Sequence, residues 1–105
     1  MANVSVQAGI CGFVTKISAA CDEDQAVSFT IVSDCPNIKK LADAMPSVDA
    51  YDEIGAGYDG ELLSTTRTYC KGCCSACVVP NAIFKAMQVA AGLALPAPIM
   101  INLIK

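Results

Sequence analysis

Between Asn3 and Ile10 apolar and polar positions alternate, Val4, Val6, Ala8 and Ile10 against Asn3, Ser5 and Gln7, which is the period of a half-buried strand. Phe13 to Ala19 repeats the period, with Phe13, Thr15, Ile17 and Ala19 on one side and Val14, Lys16 and Ser18 on the other. Gly9 and Gly12 flank Ile10-Cys11 and supply the backbone freedom of a tight reversal, so the two strands are expected to form a hairpin with Cys11 at its tip. Asp22-Glu23-Asp24 is too polar to bury and reads as the next turn. Val27, Phe29 and Ile31 then alternate against Ser28 and Thr30 in a third strand ending near Ser33.

The period changes after Asp34-Cys35-Pro36. Proline is favoured in the first turn of a helix, where its missing N–H costs nothing, and Ile38, Leu41 and Met45 follow at helical spacing, so a helix is predicted with Cys35 at its N-cap. Residues 46–69 carry weaker signals: Val48, Tyr51 and Ile54 could line a short helix, Gly55, Gly57 and Gly60 interrupt it, and 61–69 has no clear period. A second main helix is predicted from Pro80, its polar stripe limited to Asn81, Lys85 and Gln88, ending at Gly92 and Pro96. Ile99, Ile101 and Leu103, with Met100 between them, read as a final strand covered on both faces. The order βββααβ predicts one α+β domain over residues 1–105, in two layers. It has an antiparallel three-stranded meander, a C-terminal strand in the same sheet and two main helices on one face.

Composition narrows the function classes. With 105 residues the chain can bury a core without cross-links, so its seven cysteines are read as chemistry before staples. A hydrophobic share of 54% against 16% charged suggests a homodimer. A net charge of -3, with Lys39-Lys40 the only adjacent basic pair, argues against nucleic acid. Residues 1–7 hold no basic stretch leading into an apolar run, and 87–101 is apolar but short and broken by Pro96 and Pro98. A cytoplasmic protein with no membrane span is expected, and an odd number of cysteines in a reducing compartment favours metal binding or thiol chemistry.

Four of the cysteines fall within Cys70-Lys71-Gly72-Cys73-Cys74-Ser75-Ala76-Cys77, directly before the second main helix. In a meander the tip of the first hairpin and the exit of the third strand lie at one end of the sheet, so Cys11 and Cys35 should be neighbours. A right-handed crossover to a parallel fourth strand would start the second helix at that same end. The expected site is therefore Cys11, Cys35, Cys74 and Cys77, with Cys70 and Cys73 as substitutes and Cys21, at the far end of the second strand, left out as an inert thiol. Thiolates ligate zinc and iron–sulfur clusters, helix N-termini stabilise anions, and Lys71 would offset part of the charge. Spacing does not separate zinc from an iron–sulfur cluster. The alternatives are a thiol–disulfide redox protein using Cys74 and Cys77, or a structural or partner-binding module without chemistry at the sulfurs.

Other motifs are weaker. Cys70-x3-Cys74-x2-Cys77 has the spacing of radical S-adenosylmethionine enzymes, on a chain too short for their barrel. Gly55-Ala-Gly57-Tyr-Asp-Gly60 spells GxGxxG, but the segment after it leads into the cysteine run where a dinucleotide fingerprint needs a helix and a later acidic residue, so it reads as a flexible turn. The chain has no histidine, which excludes Ser-His-Asp and Cys-His catalysis. Asp49, Asp52 and Glu53, like Asp22-Glu23-Asp24, read as solvated acidic surface.

Cys11-Gly12-Phe13, Asp34-Cys35-Pro36 and Cys77-Val78-Val79-Pro80, together with the helix that runs on to Pro96, resemble a family of small uncharacterised prokaryotic proteins known only as a domain of unknown function. The resemblance implies that Cys11, Cys35 and Cys77 belong to one site and supplies no activity. Gly9-Ile10-Cys11-Gly12-Phe13 is also faintly similar to the Gly-Cys-Ser-Gly-Phe string of A-type iron–sulfur carriers, without that family's C-terminal Cys-Gly-Cys.

Overall fold

The computed structural model describes residues 1–105. Three strands, β1 (Ala2–Gln7), β2 (Val14–Cys21) and β3 (Ala26–Ser33), form an antiparallel meander in which Val4 opposes Ile17 and Ile17 opposes Ile31. The first reversal closes through Ala8 N–H to Phe13 O at 3.2 Å and Gly12 N–H to Gly9 O at 2.9 Å. Gly9 and Gly12 there take φ of 95° and 75°, which side chains rarely adopt. At the second reversal Asp22 Oδ1 accepts from the N–H groups of Asp24 and Ala26, so this aspartate builds the turn in place of backbone partners.

One face of the meander is covered by helices. Helix α1 (Pro36–Ala44) buries Ile38 and Leu41 and packs on β3. The last helix, α4 (Val79–Ala90), buries Val79, Ile83 and Met87, spaced four apart, with Ala86 beside them, against β1 and β2. Thr15, Ile17, Ala19 and Val27 meet them from the sheet. Thr15 Oγ1 donates to Ser33 Oγ at 2.8 Å, and that same oxygen accepts from Cys35 N–H at 3.2 Å. A buried polar chain thus ties the exit of β3 to the start of α1. Gly72–Ala90 is long and apolar enough to cross a membrane by length and composition. Its regular α-helix is 12 residues, against roughly 20 for a span.

The α+β class and the meander agree with the sequence reading, but the fourth strand comes from elsewhere. It is β4 (Ser47–Asp49), antiparallel to β3 with Val48 opposite Val27, and Ile99–Leu103 forms no strand. The expected parallel crossover is therefore replaced by an antiparallel return through α1. Chain leaving α1 reaches the free edge of β3 after a short excursion, and Val48 supplies the one buried side chain that pairing needs. The short helix expected near Val48, Tyr51 and Ile54 is α2 (Ala50–Ala56), which buries Ala50 and Glu53 and leaves Tyr51 and Ile54 exposed; a 3-10 turn at Gly57–Asp59 follows, and residues 61–69, without a clear period, form α3 (Glu61–Tyr69). Helix α3 packs on α1 and α4, widening the helical layer.

Glu53 is the reason that stretch holds together, and it is not solvated surface: it is only 4% exposed. Its carboxylate accepts the backbone N–H groups of Glu61, at 2.9 Å, and Leu62, the first two of α3, so it occupies the anion position at that helix N-terminus. The GxGxxG string serves this contact. Gly57 takes φ of 58°, and a Cβ on Gly60 would lie 2.7 Å from Glu53 Oε2. Glu53→Ala is expected to cost about 1–3 kcal/mol by stranding buried amides, and Gly60→Ala a similar amount by crowding. In a denaturant double-mutant cycle, Gly60→Ala should cost much less in the Glu53→Ala background. Additive losses would contradict the contact.

Candidate functional site

Each cysteine is placed by a different local device. Cys11 sits exposed in the β1–β2 reversal, and Cys35 is the half-buried N-cap of α1 with Pro36 following it. Cys70 is the C-cap of α3 and is buried. Gly72, at φ 63°, opens a 3-10 turn over Gly72–Cys74 that leaves Cys73 exposed and turns Cys74 against the core. Cys77 lies two residues before α4, where the Val79 N–H favours its thiolate. All seven thiols are free.

Cys11, Cys35, Cys70, Cys74 and Cys77 lie towards the end of the sheet where β1 ends, β2 begins and β3 exits, near enough to influence one another's ionisation. Burial is the largest cause pushing the Cys70 thiol up to about 11, with Cys77, Cys74 and Cys35 close enough to add repulsion. Burial also raises Cys77, and Cys35, Cys74 and Cys11 add to it, together outweighing the Val79 N–H that favours the thiolate. The expectation that a helix N-terminus leaves a low thiol pKa thus fails at Cys77. Cys11, Cys35, Cys74 and Cys77 are drawn to one end of the fold, and Cys70 lies in the same field. Cys73 appears in neither set of neighbours. Cys21 is at the opposite end of β2, donating to Asp22 O at 3.4 Å and to Gln25 Oε1 at 3.6 Å.

Two features were not legible in the spacing. Cys70 reads there only as a substitute, yet it is the most buried of the sulfurs; its place at the end of α3 is hidden with that helix. Asn37, in the first turn of α1, donates from Nδ2 to Cys74 Sγ at 3.4 Å, and so links the Cys35 segment to the Cys74 segment. Its position two residues after Cys35 in a helix start is the available signal. The donor set, all sulfur, suits zinc or an iron–sulfur cluster in chemistry. In this conformation no three His, Cys, Asp or Glu side chains are arranged to hold a metal ion.

A thiol reacts as its thiolate, so Cys70 should be alkylated last among the cysteines below pH 9, its rate climbing until the pH passes about 11. Unfolded, that thiol ionises near 9.0, so the stability it contributes is fully present below 9.0 and is lost as the pH rises towards about 11. Mass spectrometry of pulse-labelled folded protein checks the order. Modification of Cys70 as fast as Cys73 would contradict its burial.

No curated protein and no solved structure matches the chain. A family model does, over residues 2–103, nearly the whole of the α+β domain and all of its sulfurs. The chain belongs to this family of unknown function (DUF6951).

Proposed function

We propose that the clustered thiols bind a metal, as a zinc ion or an iron–sulfur cluster, through Cys35, Cys74 and Cys77 with Cys11 or Cys70 as the fourth ligand. The observation that carries this reading is the nearness of sulfurs delivered by separate parts of the chain, with Asn37 Nδ2 reaching across to Cys74 Sγ. Without a cation Cys70 and Cys77 resist ionisation. A cation reverses that balance, because each ligating thiol gives its proton to water and the resulting thiolate is neutralised in place. Ligand spacing is reached when the 70–77 segment and the Cys11 reversal draw inward, as in metal sites that form only on binding. Asn37 would hold Cys74 from outside the ligand set. Zinc would supply a cross-link at this end of the fold, and an iron–sulfur cluster would supply electron transfer.

Burial and a raised pKa count against the redox alternative, since Cys77 is a poor attacking thiol in this setting. An exchange enzyme needs one exposed sulfur of low pKa.

Metal content of protein prepared anaerobically, and of zinc-loaded protein, should fall in Cys35→Ser, Cys74→Ser and Cys77→Ser and stay unchanged in Cys21→Ser. Whichever of Cys11→Ser and Cys70→Ser loses metal identifies the fourth ligand. Asn37→Ala should weaken affinity by about tenfold or more without abolishing binding. A brown protein would assign iron–sulfur and a colourless loaded one zinc. Full metal retention in both Cys35→Ser and Cys77→Ser would overturn the proposal, and so would failure to take up either metal. Reduction of a model disulfide that depends on Cys74 and Cys77 would favour the redox reading instead.

A further inference from the structure

After α4 the chain changes character. Leu95, Ile99, Met100, Ile101, Leu103 and Ile104 are all exposed, and no backbone hydrogen bond involves any residue beyond Leu93. Ile99, Ile101 and Leu103 nevertheless alternate as a strand would. An apolar strand sequence with no partner sits in the same molecule as a strand edge with no partner. The sheet order is β1-β2-β3-β4, so β1 is bonded on one side only. That edge carries none of the usual protection: β1 reads Ala-Asn-Val-Ser-Val-Gln, without a charge or a proline.

The area is in proportion to such a pairing. A compact chain of 10.9 kDa exposes about 5,600 Å². This one exposes 6813 Å², an excess of about 1,200 Å² where a stable interface takes about 800 Å² from each partner. We infer that residues 99–104 are an exchange strand, which pairs with the free edge of β1 in a second copy of the chain while that copy's segment pairs with the first.

Backbone pairing along β1 would supply the hydrogen bonds both strands lack, and the alternation would place Ile99, Ile101 and Leu103 on one face of the enlarged sheet. The exchange is two-fold and closed, so it stops at a dimer. Pro96 and Pro98 keep the connection after α4 extended and out of the helix, which favours reaching a neighbour over folding back. The pairing uses the β1 edge and no cysteine side chain, and it stands or falls independently of metal binding.

Sedimentation and hydrogen exchange of the full chain test this, beside Ile101→Asp and Leu103→Asp. Both substitutions lie on exposed positions, so the circular dichroism of the core should be kept while the dimer is lost. The expected result is a dimer for the unaltered chain, with slow exchange in both 99–103 and β1, and monomers with fast exchange at both places for the variants. A monomeric unaltered chain overturns the proposal, whether its tail exchanges fast, is protected on its own β1 edge, or binds lipid vesicles instead. A dimer that survives both substitutions overturns it as well, because the interface then lies elsewhere.

Discussion

Burial of the α4 stripe on β1 and β2 is the interaction on which the rest of this structure depends. Val79, Ile83, Ala86 and Met87 are each at most 1% exposed, and a large aliphatic side chain so buried contributes about 1.5–3 kcal/mol. The stripe also sets direction. With α4 lying across the meander, its first turn is held at the end of the sheet where β1 hands over to β2 and where β3 leaves for α1. Position of the sulfurs follows from that packing, since Cys77 precedes this helix, Cys35 caps the neighbouring one and Cys11 lies in the reversal between them.

The same packing makes the sulfur-rich end electrostatically costly to ionise. Thiols brought together beside a core lose water and gain like-charged neighbours, and both effects favour the protonated form. The chain of Thr15, Ser33 and Cys35 N–H holds the α1 side of this end in register, and Asn37 reaches across to Cys74. The 70–77 segment is held less tightly, by a short 3-10 turn and a few local hydrogen bonds.

A different anion problem is solved inside the 50–69 region. An open helix N-terminus after a glycine-rich run has the ingredients of a phosphate cradle. At α3 the position is filled by the protein's own Glu53 carboxylate, and Gly60 gives that side chain room. The motif is thus a packing device between two short helices, each below the length that could be stable alone.

Much of the fold is legible in local pattern. The strand alternation from Asn3 to Ile31, the glycine reversal at Cys11, the aspartate turn and the helix starts at Pro36 and Pro80 are all dictated by residues within a few positions of one another. Local pattern therefore suffices to put Cys35 and Cys77 at helix starts, and Cys11 and Cys35 at one end of the sheet. What tertiary structure alone decided were the choices between distant competitors. Ser47–Asp49 and Ile99–Leu103 could both have been the fourth strand, and the nearer segment took the β3 edge because its loop is shorter and Val48 completes the core. Burial of Glu53 and Cys70 was equally out of reach of the sequence, because a side chain's exposure depends on which helices fold over it, and periodicity reports only which face of its own element it shares.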